Sequence, residues 1–186
     1  MSKLYVNEIH SKTGAKKAFD VTDKGIITQT NPVSFCALLP SDQNFSNGTY
    51  DVVHSTIGTS AGTWDTHNGW NDSEYAYTIP AGLDGYWLFI AAVESSVAGT
   101  ANILVISKTL DDYIAAGNSA VNWLARGYNT QASTSTQNNG QYIQVIAYMT
   151  AGEKIKSEFY HNYGSTQAIK GETNYLRTGM QGWRLG

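Results

Sequence analysis

A chain of 186 residues is long enough to bury one core and carry an appendage, and too short for two full domains. Its net charge of -3, with the twelve Lys and Arg scattered apart from Lys16-Lys17, excludes the basic stripe by which a nucleic-acid binder gathers phosphates. One cysteine, Cys36, excludes an internal disulfide and a Cys-rich metal site, and no run approaches the ~18 apolar residues of a membrane span. Charged residues make up only 15%, against roughly 25% in ordinary soluble domains, so part of the surface is expected to be covered by partners.

Residues 1–31 differ in character from the rest of the chain. Leu4, Tyr5, Val6 and Ile9 alternate as a short strand, Ser11 to Gly14 is turn chemistry, and a second strand from Phe19 to Ile27, with Val21 and Ile26, is broken at Asp23-Lys24-Gly25. A piece this small is marginal alone and needs a host surface, which makes it an anchoring arm. Its start carries no apolar core of the signal-peptide kind, so synthesis in the cytoplasm is expected.

From residue 32 onward the sequence predicts strands near 33–39, 50–54, 75–80, 85–95, 101–108, 121–128, 141–150, 153–162 and 173–185. Short runs with turn residues such as Ser46-Asn47-Gly48 between them make an all-β sandwich. Leu110 to Asn118 has the one helical pattern and is expected to form a single turn. Cys36, in an apolar run, is a small core hydrophobe. The triplets at Asn44, Asn47 and Asn71 read as loop composition rather than glycosylation sites.

The segment Tyr75 to Val93 (YAYTIPAGLDGYWLFIAAV) is the most telling. A strand shows alternate residues to opposite faces, yet Tyr86, Leu88, Ile90 and Ala92 are as apolar as Trp87, Phe89, Ala91 and Val93. One set fills a core. The other needs a second apolar surface, most simply another copy of the chain. Tyr142, Tyr148, Phe159 and Trp183 also fall on strand alternation and belong to the core or to that seam.

Catalytic patterns are weak. The four His (His10, His54, His67, His161) lack the spacing of a metal-binding cupin, and no Gly-x-Ser-x-Gly elbow or phosphate-cradling Gly loop occurs. Asp72 and Glu74, or Asp111 and Asp112, are adjacent carboxylates without a shared cleft. The expectation is a protein that is not an enzyme, with no cofactor and no metal. The oxygen-rich loop around His67 reads as a polar loop rather than a Ca²⁺ site. Trp64 and Trp70 flank that loop and cap the sandwich or, with His67, touch a ligand.

The run of a strand ending in Pro80, then Gly82, the Gly85-Tyr86 pair and the apolar-aromatic stretch resembles the central signature of C1q/TNF-like domains. Val33 to Ala37 resembles that family's opening strand, Thr150 to Ile155 its turn before a late strand, and Gly179 to Leu185 its closing strand. The resemblance implies a C1q/TNF-like jelly roll over 32–186 that assembles as a homotrimer. LYVNEIHSKTG and the following Asp-Val-Thr-Asp-Lys-Gly-Ile resemble the leader of virion surface proteins of tailed bacteriophages. That resemblance implies a decoration or cement knob on the virion surface, bound through the arm to the major capsid protein or another virion protein. The alternative is a fibre or spike tip whose loops (42–48, 58–71 and 131–140) touch a host-surface glycan or receptor, with no membrane or nucleic-acid partner in either case.

Overall fold

The computed structural model describes residues 8–10, 17–21, 24, 26–29, 32–46, 48–52, 54, 63–96, 102–109, 123–129, 139–173 and 177–185. It divides into two compact units, Met1–Val33 and Ser34–Gly186. Among the described residues there is no helix. Leu4, Tyr5, Val6, the turn at Ser11 to Gly14 and the helical turn expected at Leu110 to Asn118 lie outside them.

The first unit is a three-stranded antiparallel sheet in the order β1 (Glu8–His10), β2 (Lys17–Val21), β3 (Ile27–Gln29). Ile9 stands opposite Phe19, and Val21 opposite Ile27. The break at Asp23-Lys24-Gly25 therefore does more than interrupt one strand. It turns the chain back, so that the segment expected as a single strand from Phe19 becomes two strands of a hairpin. Ile26, at the turn, is exposed.

The second unit is a sandwich of two antiparallel sheets. In one, β13 (Asn139–Met149), β10 (Gly85–Ser95), β16 (Gly179–Arg184), β4 (Ser34–Leu38) and β7 (Trp64–Asp65) lie side by side, and β15 (Gln167–Ile169) and β5 (Gln43–Phe45) extend it past Ser95. In the other, β12 (Trp123–Asn129), β11 (Asn102–Thr109), β14 (Lys154–His161), β9 (Ala76–Thr78) and β8 (Trp70–Asn71) are arranged in that order, with β6 (Gly48–Asp51) also paired to β14. Neighbours in space are far apart in sequence, as in a jelly roll.

The core lies where the two inner faces meet. Trp87, Phe89, Ala91 and Val93 of β10 are buried with Phe35 and Met180 on one side, against Leu104, Ile106, Ile155 and Phe159 on the other. Tyr77 crosses the gap: its ring stacks on Phe35 at 4.1 Å and leans on Trp87 at 5.7 Å. Trp87 and Phe89, one pleat apart, lie parallel at 5.9 Å. Burying a large side chain of this kind is worth roughly 1.5–3 kcal/mol each, so this aromatic column is the main cohesive element of the sandwich. Cys36 is buried, and desolvation raises its thiol pKa although Gln181 Nε2 donates to its sulfur at 3.4 Å.

Two differences from the sequence reading have one physical cause. The closing strand expected from 173 begins only at Gly179, and β5, β7, β8 and β15 are strands the pattern does not mark. They are two or three residues long and rich in polar side chains, so hydrogen bonds to distant neighbours define them rather than their own alternation.

Candidate functional site

Two surfaces of the sandwich can recognise something. The larger is the outer face of the sheet containing β10. Register places Tyr86 opposite Tyr148, Leu88 opposite Ile146 and Trp183, and Ile90 opposite Gln144 and Gln181. Directly opposed residues share a face of the sheet. Tyr142 is 76% exposed, Ile146 61%, Tyr86 58% and Tyr148 55%, while Leu88, Ile90 and Trp183 are half-buried beside them. Tyr86 and Tyr148 meet edge to face at 5.3 Å, and Leu185, whose N–H bonds Tyr86 O at 2.8 Å, is exposed at the same end. At the other end, Arg177 makes a two-armed ion pair to Glu94, with Nε–Oε2 2.9 Å and Nη2–Oε1 2.6 Å. The face is thus aromatic and apolar from Tyr86 and Tyr148 to Leu88, Ile146 and Trp183, crossed by Gln144 and Gln181 beside Ile90, carries Tyr142 beyond them, and is closed by charge. A contiguous exposed patch of this kind marks an interaction surface.

Of the residues expected in core or seam, Trp87, Phe89 and Phe159 are core. Tyr86, Leu88, Ile90, Tyr142, Tyr148 and Trp183 are on the outer face. Sequence reasoning missed Ile146. In QYIQVIAYM both residue sets are apolar, and only the pairing with Leu88 shows which set faces out.

The second surface is the loop joining β7 to β8. It places the two tryptophans in different sheets: Trp64 stands opposite Cys36 of β4, and Trp70 opposite Tyr77 of β9. Trp64 and Trp70, expected with His67 in one contact loop, thus pair with different sheets. Trp64 Nε1 donates to Ser34 Oγ at 3.0 Å, and His67 Nδ1 lies 2.8 Å from Thr66 Oγ1. Trp70 alone lines a pocket, of about 420 Å³, with Asn68, Gly69, Asn71, Asp72, Thr78 and Pro80.

Asp65 organises this loop. Its Oδ1 accepts from the backbone N–H of His67 at 3.1 Å and its Oδ2 from that of Trp70 at 2.9 Å. Asn68 takes the left-handed conformation at φ 53°, which Asn tolerates better than most residues. At Gly69 any Cβ would stand 2.6 Å from Thr78 O and from the Tyr77 ring, so only glycine fits. Thr78 N–H closes the turn on Gly69 O at 2.7 Å.

Behind Trp70 lies His54, fully buried, its ring 6.1 Å away and edge-on. Its Nε2 is 2.7 Å from Ser157 Oγ, and its Nδ1 has no hydrogen-bond partner among the described residues. Burial without a countercharge pushes the imidazole pKa down to about 3. The folded ring stays neutral while the unfolded ring takes a proton near its ordinary 6.5, so stability is complete above that pH and declines as pH falls toward 3. The full loss is about 4–5 kcal/mol at the low end. The urea midpoint is therefore expected to fall between pH 7 and pH 4.5, and less steeply in His54→Gln. Equal slopes in the two proteins would contradict this role.

Among the described residues no group of three or more His, Cys, Asp and Glu could hold a metal ion. Of the arm residues, Ile9, Phe19, Val21 and Ile27 lie in its three strands.

No family model matches the sequence, and no curated protein matches it. Solved structures do. The Eiger TNF of S. frugiperda is 10% identical with TM-score 0.57, over 84% of this chain and 94% of that one. Murine APRIL is 12% identical with TM-score 0.54, over 82% of this chain and 99% of that one. The fold is a TNF-like jelly roll, and the likeness indicates no enzyme family.

Proposed function

We infer that the chain is a non-enzymatic structural protein: a homotrimeric knob on the virion surface of a tailed bacteriophage, decorating or cementing the capsid and anchored by its N-terminal arm. The observation that carries the trimer is the outer face from Tyr86 and Tyr148 to Tyr142. Three protomers related by rotation can each press this surface against a neighbour, a closed arrangement that leaves no apolar face over. The virion assignment rests on the resemblance of LYVNEIHSKTG to phage leaders, supported by the arm's being a compact unit of its own. Its outer strands β1 and β3 are sheet edges with backbone groups that can pair to a shell subunit. Three arms on one trimer bind with avidity, because docking of the first raises the effective concentration of the others.

Light scattering on the purified protein should give the mass of a trimer. Full-length protein should co-sediment with empty capsids, and a form lacking residues 1–31 should remain in the supernatant. Equal sedimentation of both forms would remove the anchoring role. A fibre-tip protein that reads a host glycan or receptor is the second reading, favoured by the pocket at Trp70.

A further inference from the structure

The pocket at Trp70 has features that a structural knob does not need. Its indole is fixed on three sides: Phe35 lies 5.7 Å away and tilted, His54 stands behind it, and Nε1 donates to Asp72 Oδ1 at 3.0 Å. The ring is half-buried and still lines an open cavity of about 420 Å³, within the roughly 300–1,000 Å³ of small-molecule sites. Asn68, Asp72 and Thr78, which carry an amide, a carboxylate and a hydroxyl, line the cavity with the indole, as does the apolar Pro80. The loop carrying Asn68 is held by Asp65 and by a glycine that admits no side chain, so binding need not order it.

A flat apolar surface bordered by an amide, a carboxylate and a hydroxyl matches the chemistry of a pyranose. One face of the sugar ring presents C–H groups that stack on an aromatic ring. Its edge presents hydroxyls, each both donor and acceptor. An anionic sugar would meet the Asp72 carboxylate. We propose that this pocket binds a neutral pyranose residue of a surface glycan, stacked on Trp70 and hydrogen-bonded by Asn68 and Asp72. The proposal deepens the receptor-binding reading and does not depend on where the trimer is mounted.

The full chain is tested by saturation-transfer NMR and calorimetry against methyl glycosides of glucose, galactose, mannose and N-acetylglucosamine, with a sialoside as the anionic probe. At least one neutral glycoside should bind and the sialoside should not. Trp70→Ala should weaken binding by about tenfold or more, Trp70→Phe by less, and Trp64→Phe not at all. Since Trp70→Ala also opens the core beside Phe35, the rim variants Asn68→Gly, which keeps the left-handed backbone, and Asp72→Asn give a second test at exposed positions, each expected to weaken binding severalfold. No binding by any neutral glycoside, tighter binding of the sialoside, or affinity unchanged by both rim variants overturns the proposal. A protein that forms trimers and sediments with capsids but binds no sugar loses this inference and keeps the structural one.

Discussion

Ile146→Asp is expected to convert the proposed trimer into folded monomers. In a single chain the Ile146 side chain is mostly exposed, so a carboxylate there meets water and leaves the ladder between β13 and β10 intact. In the proposed trimer the same carboxylate is trapped against an apolar neighbour in three places, and a buried charge lacking a partner costs about 3–5 kcal/mol each time. That total exceeds what an interface of ordinary size can spare, so trimers should vanish at micromolar concentration while the thermal midpoint of the monomer moves little. Tyr148→Asp, one pleat away and beside Tyr86, should do the same. Light scattering with circular dichroism separates the outcomes. Both variants remaining trimeric, or a wild type that is monomeric at the same concentration, would remove the interface.

A charge at Trp87 or Phe89 behaves differently. Both are fully buried within one protomer, so Trp87→Asp should unfold the chain rather than dissociate an assembly. Their neighbours Tyr86 and Leu88 point the other way along the same strand. The mid-chain segment thus serves two purposes with one periodicity, and this is what its sequence makes legible. Apolar residues in both alternating sets have to be covered twice, by the opposing sheet and by something outside the chain. Which set faced which way was not legible. In β10 the distinction comes from the opposing sheet, where Tyr77 meets Trp87, and in β13 from register alone.

The loop between Trp64 and Trp70 marks the limit of sequence reading. Six residues apart, the two indoles read as a pair around one loop, yet β4 takes Trp64 into one sheet and β9 takes Trp70 into the other. Both partners lie distant in sequence or beyond a turn, and no local pattern encodes the division. The local part was visible as chemistry, since Asp, Asn and Gly crowd the loop, but their use was not. Asp65 fastens two backbone N–H groups, and Gly69 is demanded by the Tyr77 ring. The arm shows the same division: the Asp-Lys-Gly break was plain, and its consequence, a third strand pairing Ile27 to Val21, emerges only from the fold.

The other large effect is expected at Gly182, where β16 passes beneath the central ring of the core. A Cβ there would stand 2.3 Å from Phe35 Cε1 and 2.9 Å from Cζ, well inside van der Waals contact. Phe35 cannot swing aside cheaply, because it is stacked on Tyr77, leans on Trp70 and faces Phe89 at 6.5 Å. Gly182→Ala therefore overpacks the column and should cost about 2–3 kcal/mol, lowering the midpoint of a chain this size by roughly 5–10 °C. Gly127→Ala is the control. There the clash, at 2.5 Å, is with one branch methyl, Ile143 Cγ2, on a half-buried side chain rather than with a ring held in a buried stack, so its cost should be smaller. The cause can be isolated by a double-mutant cycle: Phe35→Leu destabilises on its own by removing the stack, but combined with Gly182→Ala it leaves room for the new methyl. The two changes should then cost less together than the sum of their separate costs, by about 1 kcal/mol or more. Strict additivity would mean that the ring of Phe35 is not what keeps position 182 a glycine.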